Sequence, residues 1–432
     1  MISDSIKDVF DKISKDKYVI GYDINPEFAQ ISYCRIDERT PETLSTITGA
    51  EEFNIPLVIL RRRSTKAWVF GNEALEAEKD RDGGLIKNLY ERALADENIN
   101  VEGELYRAED LLLLFIKKSL GLLSVMTTPE KVMGICIATP KLDERLVNIF
   151  RKVPKLIQVP NDKLEMMDYE ESFFYYMVGQ ESDLSKYNVL LCDSSLGYLN
   201  IYSLEKNTFA KPNFVSVFAD EHRDYKFEEV SEAVYELRDS KFQEIVSGFM
   251  ENKIYSSVFL IGDGLAGDWL KNSIKFLCKN RRVFKGNNLF SKGACIAALE
   301  KVVPSNFEED VVYMGKGKLK IGIGLKVNTA GKDEVINVVP AGLNWYDVHG
   351  QAEVIIKDTN VINIYIERPN GKPGAVAEFK LKDFPIRNGR ISRILMDVTM
   401  TNEKIVHFKA QDLGFGEIFP STGMIFEEDL EV

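Results

Sequence analysis

Tyr18-Val19-Ile20-Gly21-Tyr22-Asp23-Ile24-Asn25-Pro26-Glu27, running into Phe28-Ala29-Gln30-Ile31-Ser32-Tyr33, is an apolar run that ends in Asp, turns, and leaves as a second strand. The same design returns in Val189-Leu190-Leu191-Cys192-Asp193-Ser194-Ser195-Leu196-Gly197-Tyr198, which leads into Leu199-Asn200-Ile201-Tyr202-Ser203. A duplicated strand, acidic turn and strand predicts a two-lobed fold in which paired hairpins face each other across a cleft, with an Asp at each lip. In active folds of this plan the turns grip nucleotide phosphates and the acids hold Mg²⁺ through water. Asp23 and Asp193 are then the catalytic and metal-holding candidates. As plain turn acids they would only cap their loops, and both readings stay open at this point.

The 432 residues are enough for two to four units with real cores. A composition of 45% hydrophobic and 28% charged residues is that of an ordinary globular protein. The net charge of -12 argues against non-specific binding to nucleic acid or to an anionic membrane, since both repel an acidic surface. No apolar run reaches the roughly 18 residues that cross a bilayer, and residues 1–17 are too polar for a secretory signal. Cys34, Cys136, Cys192, Cys278 and Cys295 stand singly, a pattern that suits a reducing cytoplasm. His222, His349 and His407 lie too far apart for a ligand spacing, so a histidine or cysteine metal site is not expected.

After the first hairpin the pattern predicts a third strand over Glu42–Thr48 and a strand pair from Leu57–Leu60 and Ala67–Phe70. Helices are expected over Ala74–Lys79 and over Arg107–Met126, the latter with an apolar stripe through Leu111, Leu114, Phe115, Leu120 and Leu123. A buried strand over Val132–Ala138, a helix carrying Leu146, Ile149 and Phe150, and a helix from about Asp168 to Gln180 bring the chain to the second hairpin. Beyond it come a helix from Tyr225 to Met250, a strand over Ser257–Ile261, the turn Gly262-Asp263-Gly264, a helix near Trp269–Asn280, and a last helix after Phe290-Ser291-Lys292-Gly293. This alternation is that of an α/β unit.

Past Val302 the composition changes. Pro304, Glu308-Glu309-Asp310 and the Gly/Lys run Met314–Lys318 predict a linker over 306–319, and short strands follow: Lys320–Lys326, Glu334–Val339, Gln351–Lys357, Val361–Ile366, Gly374–Lys382, Ile394–Met400 and Ile405–Ala410. Asn370-Gly371 and Asn388-Gly389 are turn signals. Seven strands without a helix predict a β-sandwich over 320–432. The alternation Val354, Ile356, Ile362, Ile364, Ile366 is first of all core for such a sandwich.

The order of these motifs resembles the seventy-kilodalton heat-shock chaperone family of the DnaK type. The resemblance rests on Ile55-Pro56-Leu57-Val58 with Val69-Phe70-Gly71-Asn72-Glu73-Ala74, on Ile137-Ala138-Thr139-Pro140, and on Gly293-Ala294-Cys295-Ile296-Ala297-Ala298. In the C-terminal part it rests on Glu378-Phe379-Lys380-Leu381-Lys382-Asp383-Phe384-Pro385 and Ile394-Leu395-Met396-Asp397-Val398-Thr399-Met400-Thr401. It implies an α/β actin-like, ribonuclease H-like duplicated two-lobed domain over 1–305, with lobes of about 17–185 and 186–305, followed by an all-β sandwich domain that binds extended peptide. It also implies a nucleotide site at Gly21, Gly197, Gly262, Asp263, Gly264 and Gly293, a catalytic role for Glu170 beside Asp23 and Asp193, and a peptide groove at Val335, Val354, Ile362 and Ile364. The family's helical lid has no counterpart in the short tail Phe426–Val432, so the groove is expected to be open.

The departures from the family fall on the chemistry. Its first phosphate loop continues from Asp as Leu-Gly-Thr-Thr, where Ile24-Asn25-Pro26-Glu27 stand here; Pro26 lacks an N–H and Glu27 brings negative charge. Its second loop is glycine-rich, where Ser194-Ser195-Leu196-Gly197-Tyr198 stand here. Two functions follow. One is a chaperone-like protein that binds unfolded peptide or a dedicated protein partner through a catalytically degenerate actin-type domain, with no cofactor. The other is an active ATPase that uses ATP/ADP with Mg²⁺ and couples hydrolysis to peptide binding.

Overall fold

A computed structural model describes residues 17–47, 49–207, 213–227, 231–305, 311–329, 331–357, 359–368, 374–382, 391–417 and 419–432. The chain divides between Tyr313 and Met314 into two compact units.

In the first unit, apolar runs buried on both faces form two mixed sheets. The first holds β1 (Tyr18–Ile24), β2 (Phe28–Arg35), β3 (Glu42–Thr43), β4 (Val132–Thr139) and β5 (Leu164–Asp168) in the order β5-β4-β1-β2-β3. The second holds β6 (Asn188–Asp193), β7 (Tyr198–Asn207), β8 (Asn213–Lys226), β9 (Tyr255–Ile261), β10 (Arg282–Gly286) and β11 (Val311–Tyr313) in the order β10-β9-β6-β7-β8-β11. In each sheet the first strand runs antiparallel to the second and parallel to the fourth, and the fourth runs parallel to the fifth. Asp23 and Asp193 therefore end equivalent strands.

The longer helices on and around these sheets are α1 (Gly71–Lys79), α2 (Ala108–Leu120), α3 (Tyr169–Val178), α4 (Tyr235–Met250) and α5 (Leu289–Val302). Asp168 caps α3 by accepting the Glu171 N–H at 2.8 Å. Period-two alternation in β6 sends Val189 and Leu191 into a core shared with α3, α5 and the first sheet, while Leu190 and Cys192 enter a second core under α4. The α5 helix has apolar and small residues on every side and is buried nearly all round. It reaches its neighbours backbone to backbone. A Cβ added at Gly21 would lie 2.1 Å from the Ser291 carbonyl oxygen, and one at Gly293 would lie 2.0 Å from the Ser172 carbonyl oxygen.

Two expectations need correction in this unit. The helix placed at Tyr225–Met250 begins at Tyr235, because Tyr225 and Lys226 end the long strand β8. The charged run Asp220-Glu221-His222-Arg223-Asp224 hides that strand, since it lies on the outermost part of the sheet and is largely solvated. The linker proposed for 306–319 contains β11, which pairs in parallel with Asn213–Val215; its apolar character serves that pairing and the stacking of Tyr313 on Phe174, 4.8 Å between ring centroids. Residues 306–310 lie outside the described residues.

The second unit consists of two four-stranded antiparallel sheets. One holds β12 (Gly322–Thr329), β13 (Lys332–Val339), β15 (Val361–Glu367) and β16 (Ala375–Lys380) in the order β13-β12-β15-β16. The other holds β14 (His349–Lys357), β17 (Ile391–Asn402), β18 (Ile405–Gly414) and β19 (Ile425–Glu431) in the order β14-β17-β18-β19. Their inner faces meet where Phe379 approaches Phe408, 6.4 Å between centroids. Strict alternation in β18 buries Val406, Phe408, Ala410 and Asp412. The tail Phe426–Val432, expected to supply no helical lid, forms most of β19 and pairs along the edge of β18. Asn370-Gly371, Asn388-Gly389 and Phe384-Pro385 lie outside the described residues.

The packing of α5 makes a contrast between two helical glycines. Gly293→Ala should destabilise the chain by about 1–3 kcal/mol or more, because backbone must move to admit the methyl group. Gly248→Ala, in α4 with nothing within 4 Å of the new Cβ, should instead stabilise by about 0.5–1 kcal/mol. Urea unfolding of the two variants checks the pair, and a loss at Gly248 equal to that at Gly293 would refute the packing argument.

Candidate functional site

The first acidic turn is organised by Asn25. Its side-chain oxygen accepts the N–H groups of Glu27 (2.9 Å) and Phe28 (3.0 Å), its own N–H bonds the Phe28 carbonyl, and Pro26 has no N–H to offer. The loop thus consumes its donors internally. Asn25 also donates from Nδ2 to the Tyr169 hydroxyl at 3.1 Å, and that hydroxyl donates to Asp23 Oδ1 at 2.6 Å. Tyr169 comes from the first turn of α3 and stacks on Phe290 of α5, 3.6 Å between centroids.

The second turn is held similarly. Ser195 donates its N–H to Asp193 Oδ1 at 2.8 Å, Ser194 donates its N–H to the Ile261 carbonyl, and Gly197 closes the turn onto Ser194 with a φ of 78°. Asp193 Oδ2 is buried without a hydrogen-bond partner. Gly262, at φ 86°, packs so tightly on this turn that a Cβ there would lie 2.6 Å from Ser194 Oγ and from the Ser195 nitrogen.

Both carboxyls are buried, and their proton affinities show it. Burial above all pushes Asp23 up to about 8; the Tyr169 hydrogen bond lowers it, and the charge of nearby Asp193 raises it again. Burial pushes Asp193 up to about 6, against the Ser195 N–H, which lowers it. Glu170 lies at the head of α3, buried, and its charge helps to hold the hydroxyls of Tyr202 and Tyr313 up after their own burial has raised them.

Above the acids, a cavity of about 440 Å³ opens between the two hairpins. Glu27, Phe28 and Asn54 line it from the first lobe, and Ser194–Gly197 with Gly262–Gly264 line it from the second, joined by Phe227 and Asn287. Gln30 sets the amide side: its Nε2 donates to Asn54 Oδ1 at 2.6 Å and to the Asn287 carbonyl at 2.7 Å. Phe227 is placed by its N–H on the Gly197 carbonyl, with its ring against Gly264, where a Cβ would fall 2.4 Å from the ring.

Of the residues singled out by sequence, Gly197, Gly262, Asp263 and Gly264 come together at this cavity, while Asp23 and Asp193 are not among its lining residues. Gly21 and Gly293 do not reach it; they admit α5 against β1 and α3. Leu196 lines the cavity, whereas Tyr198 packs under the Arg223 guanidinium, 5.1 Å from its ring centroid. Val335, Val354, Ile362 and Ile364 do not form one surface. Val335 is exposed on β13, Val354 sits half-buried in the other sheet, and alternation turns Ile362 and Ile364 into the interior. Sequence reasoning passed over Tyr169, Phe227, Gln30 and the Asn25 side chain. The Asn-Pro pair was the available signal for a side-chain-organised turn.

Among the described residues no group of three or more His, Cys, Asp or Glu side chains is arranged to hold a metal ion, and no helix is long and apolar enough to cross a membrane. Residues 40–316 match a model described as a family of unknown function (DUF5716), C-terminal. The chain belongs to that DUF5716 family. Residues 318–432 match a domain of unknown function (DUF8552), so the two models meet close to the division of the chain into units. No curated protein matches it.

The raised carboxyls give a pH signature for this DUF5716 member. Both groups bind protons more tightly folded than unfolded, so their contribution to stability is full below the ordinary carboxylate range and is lost as pH rises through about 6 and about 8. The Tm should fall between about pH 5 and about pH 9, and Asp193→Asn should flatten that fall by remaining neutral. Thermal melts of both proteins across this range test it; parallel curves would show that Asp193 ionises as freely folded as unfolded.

Proposed function

We propose that the chain is a chaperone-like binding protein in which an actin-type, duplicated first unit no longer hydrolyses ATP and a β-sandwich second unit engages an extended peptide or a partner protein. The matched order and directions of the two sheets support the duplicated fold. The internal use of backbone donors by Asn25 carries the loss of catalysis. Phosphoryl transfer depends on positioned donors and charges around the phosphates. Here the first loop offers none, and Glu27 and Asp263 line the space where phosphates would lie. The residues therefore do not suit a Mg-nucleotide, and no hydrolytic step is assigned to Asp23, Asp193 or Glu170. Five cysteines outside any disulfide suit the cytoplasm as its place of work.

In the second unit the reading places peptide on the outer strand β13. Among the described residues this strand ends its sheet, and it exposes Val335 (45%) and Ile336 (44%). A steady-state assay should find no ATP turnover above background; turnover abolished by Asp193→Asn would overturn the proposal in favour of an active ATPase. Fluorescence titration with unstructured apolar peptides should show weak, fast binding that Val335→Asp reduces about tenfold. Ile362→Asp should unfold the unit instead, since it buries a charge; full folding with selective loss of peptide would return the groove to Ile362.

A further inference from the structure

The cavity between the hairpins has a chemistry opposite to that of a phosphate site. Glu27 comes from the first lobe and Asp263 from the second, and both are exposed at the cavity without an ion-pair partner among the described residues. No lysine or arginine is among the described lining residues. The Arg238 guanidinium does not line the cavity and lies over the rings of Phe227 (5.9 Å) and Trp269 (5.5 Å). A cleft lined by one sign of charge concentrates ligands of the other sign.

The remaining walls suit the rest of such a ligand. Phe28 and Phe227 present aromatic surface, which accepts both an alkyl stem and the face of a cation. Phe227 already carries one guanidinium on its ring. Asn54 Oδ1 accepts from Gln30 Nε2 and keeps a second lone pair, so the acceptor that Asn54 can offer an N–H of the ligand is that same oxygen. At about 440 Å³ the space is that of a small-molecule site, which commonly spans a few hundred Å³.

We infer that the cavity bounded by Glu27, Phe28, Phe227 and Asp263 binds a small organic cation, an ammonium or guanidinium group on a short alkyl chain, in place of a nucleotide. This rests on the reading that the cleft does not hold phosphates. The same chemistry could be presented by an arginine side chain of another protein, and the test separates the two sources.

The experiment is calorimetric titration of the full chain with agmatine, spermidine, an arginine-bearing pentapeptide and Mg-ATP. Agmatine or spermidine should bind at one saturable site, and Glu27→Gln and Asp263→Asn should each weaken it about tenfold, whereas Glu428→Gln in the second unit should change nothing. Circular dichroism confirms that these surface variants remain folded. If neither small cation binds, or both bind the double variant Glu27→Gln/Asp263→Asn as well as the parent, the inference fails while the loss of catalysis stands. Pentapeptide binding tighter than that of both amines would overturn the small-molecule source. Saturable Mg-ATP binding would overturn the inference together with the reading of a phosphate-free cleft.

Discussion

The first unit depends on one close approach, the backbone of α5 lying directly against β1 and α3. Gly21 and Gly293 make it possible, because any Cβ at either position would meet main-chain atoms at about 2 Å. Ser172 Oγ donates to the Phe290 carbonyl at 2.7 Å, locking α3 to the start of α5. The consequence reaches the acidic turn. With α5 at this depth Phe290 lies flat on Tyr169, and Tyr169 is thereby aimed at Asp23 and Asn25. The helix contact, the aromatic stack and the turn are one connected structure, in which the glycines serve packing rather than ligand approach.

That connection explains why the first turn is closed to anions. A phosphate-gripping loop keeps several N–H groups unpaired and convergent. Asn25 reverses this by occupying the position of the anion with its own side-chain oxygen, and Tyr169 fixes the side chain in place from behind. The second turn departs less. Gly197 keeps its left-handed conformation with open space beside it, and the Gly262 turn still packs on Ser194. The two sheets thus share a strand order and differ in the hydrogen bonding of their acidic turns.

The paired hairpins were legible because β1 and β6 are apolar runs that end at an Asp and a turn, with β2 and β7 following at once, and the alternating strands of the second unit were legible by their period of two. Several strands were not, β5 and β10 among them. The charges of β8 belong to a sheet margin, where solvent satisfies the side chains and the hydropathy pattern vanishes. β11 is short and apolar, which is also how a docking linker reads. β19 carries Glu427, Glu428, Asp429 and Glu431, and only its pairing with β18 shows it to be a strand. At the site, Asp23 and Asp193 were found as a pair, but their environment was not. Burial, Tyr169 and the cavity wall at Phe227 are contributed by segments about 30 to 150 residues away in sequence. Local pattern carries no information about such partners. The misplaced groove has the opposite cause, since alternation located Ile362 and Ile364 on one face and only the opposing sheet decides that this face is inside.

The two acids are a separate physical question. A buried carboxylate without compensating charge is costly, and the folded chain lowers that cost by shifting proton affinity rather than by supplying a cation. Asp23 has the Tyr169 hydroxyl as a donor and is still pushed up to about 8, because burial opposes its ionisation and the neighbouring charge of Asp193 adds to that effect. Asp193 is the easier of the two to ionise, since the Ser195 N–H supports its charged form. Once Asp193 carries the charge, Asp23 is held neutral, and a neutral carboxyl both accepts from Tyr169 and has a proton to give. The charge of Asp193 therefore raises the proton affinity of Asp23, and both carboxyls are buried. In this unit the same residue types that would hold a hydrated metal in an open cleft instead join the turns to α3, and the negative charge available to a ligand is that of Glu27 and Asp263 at the cavity above.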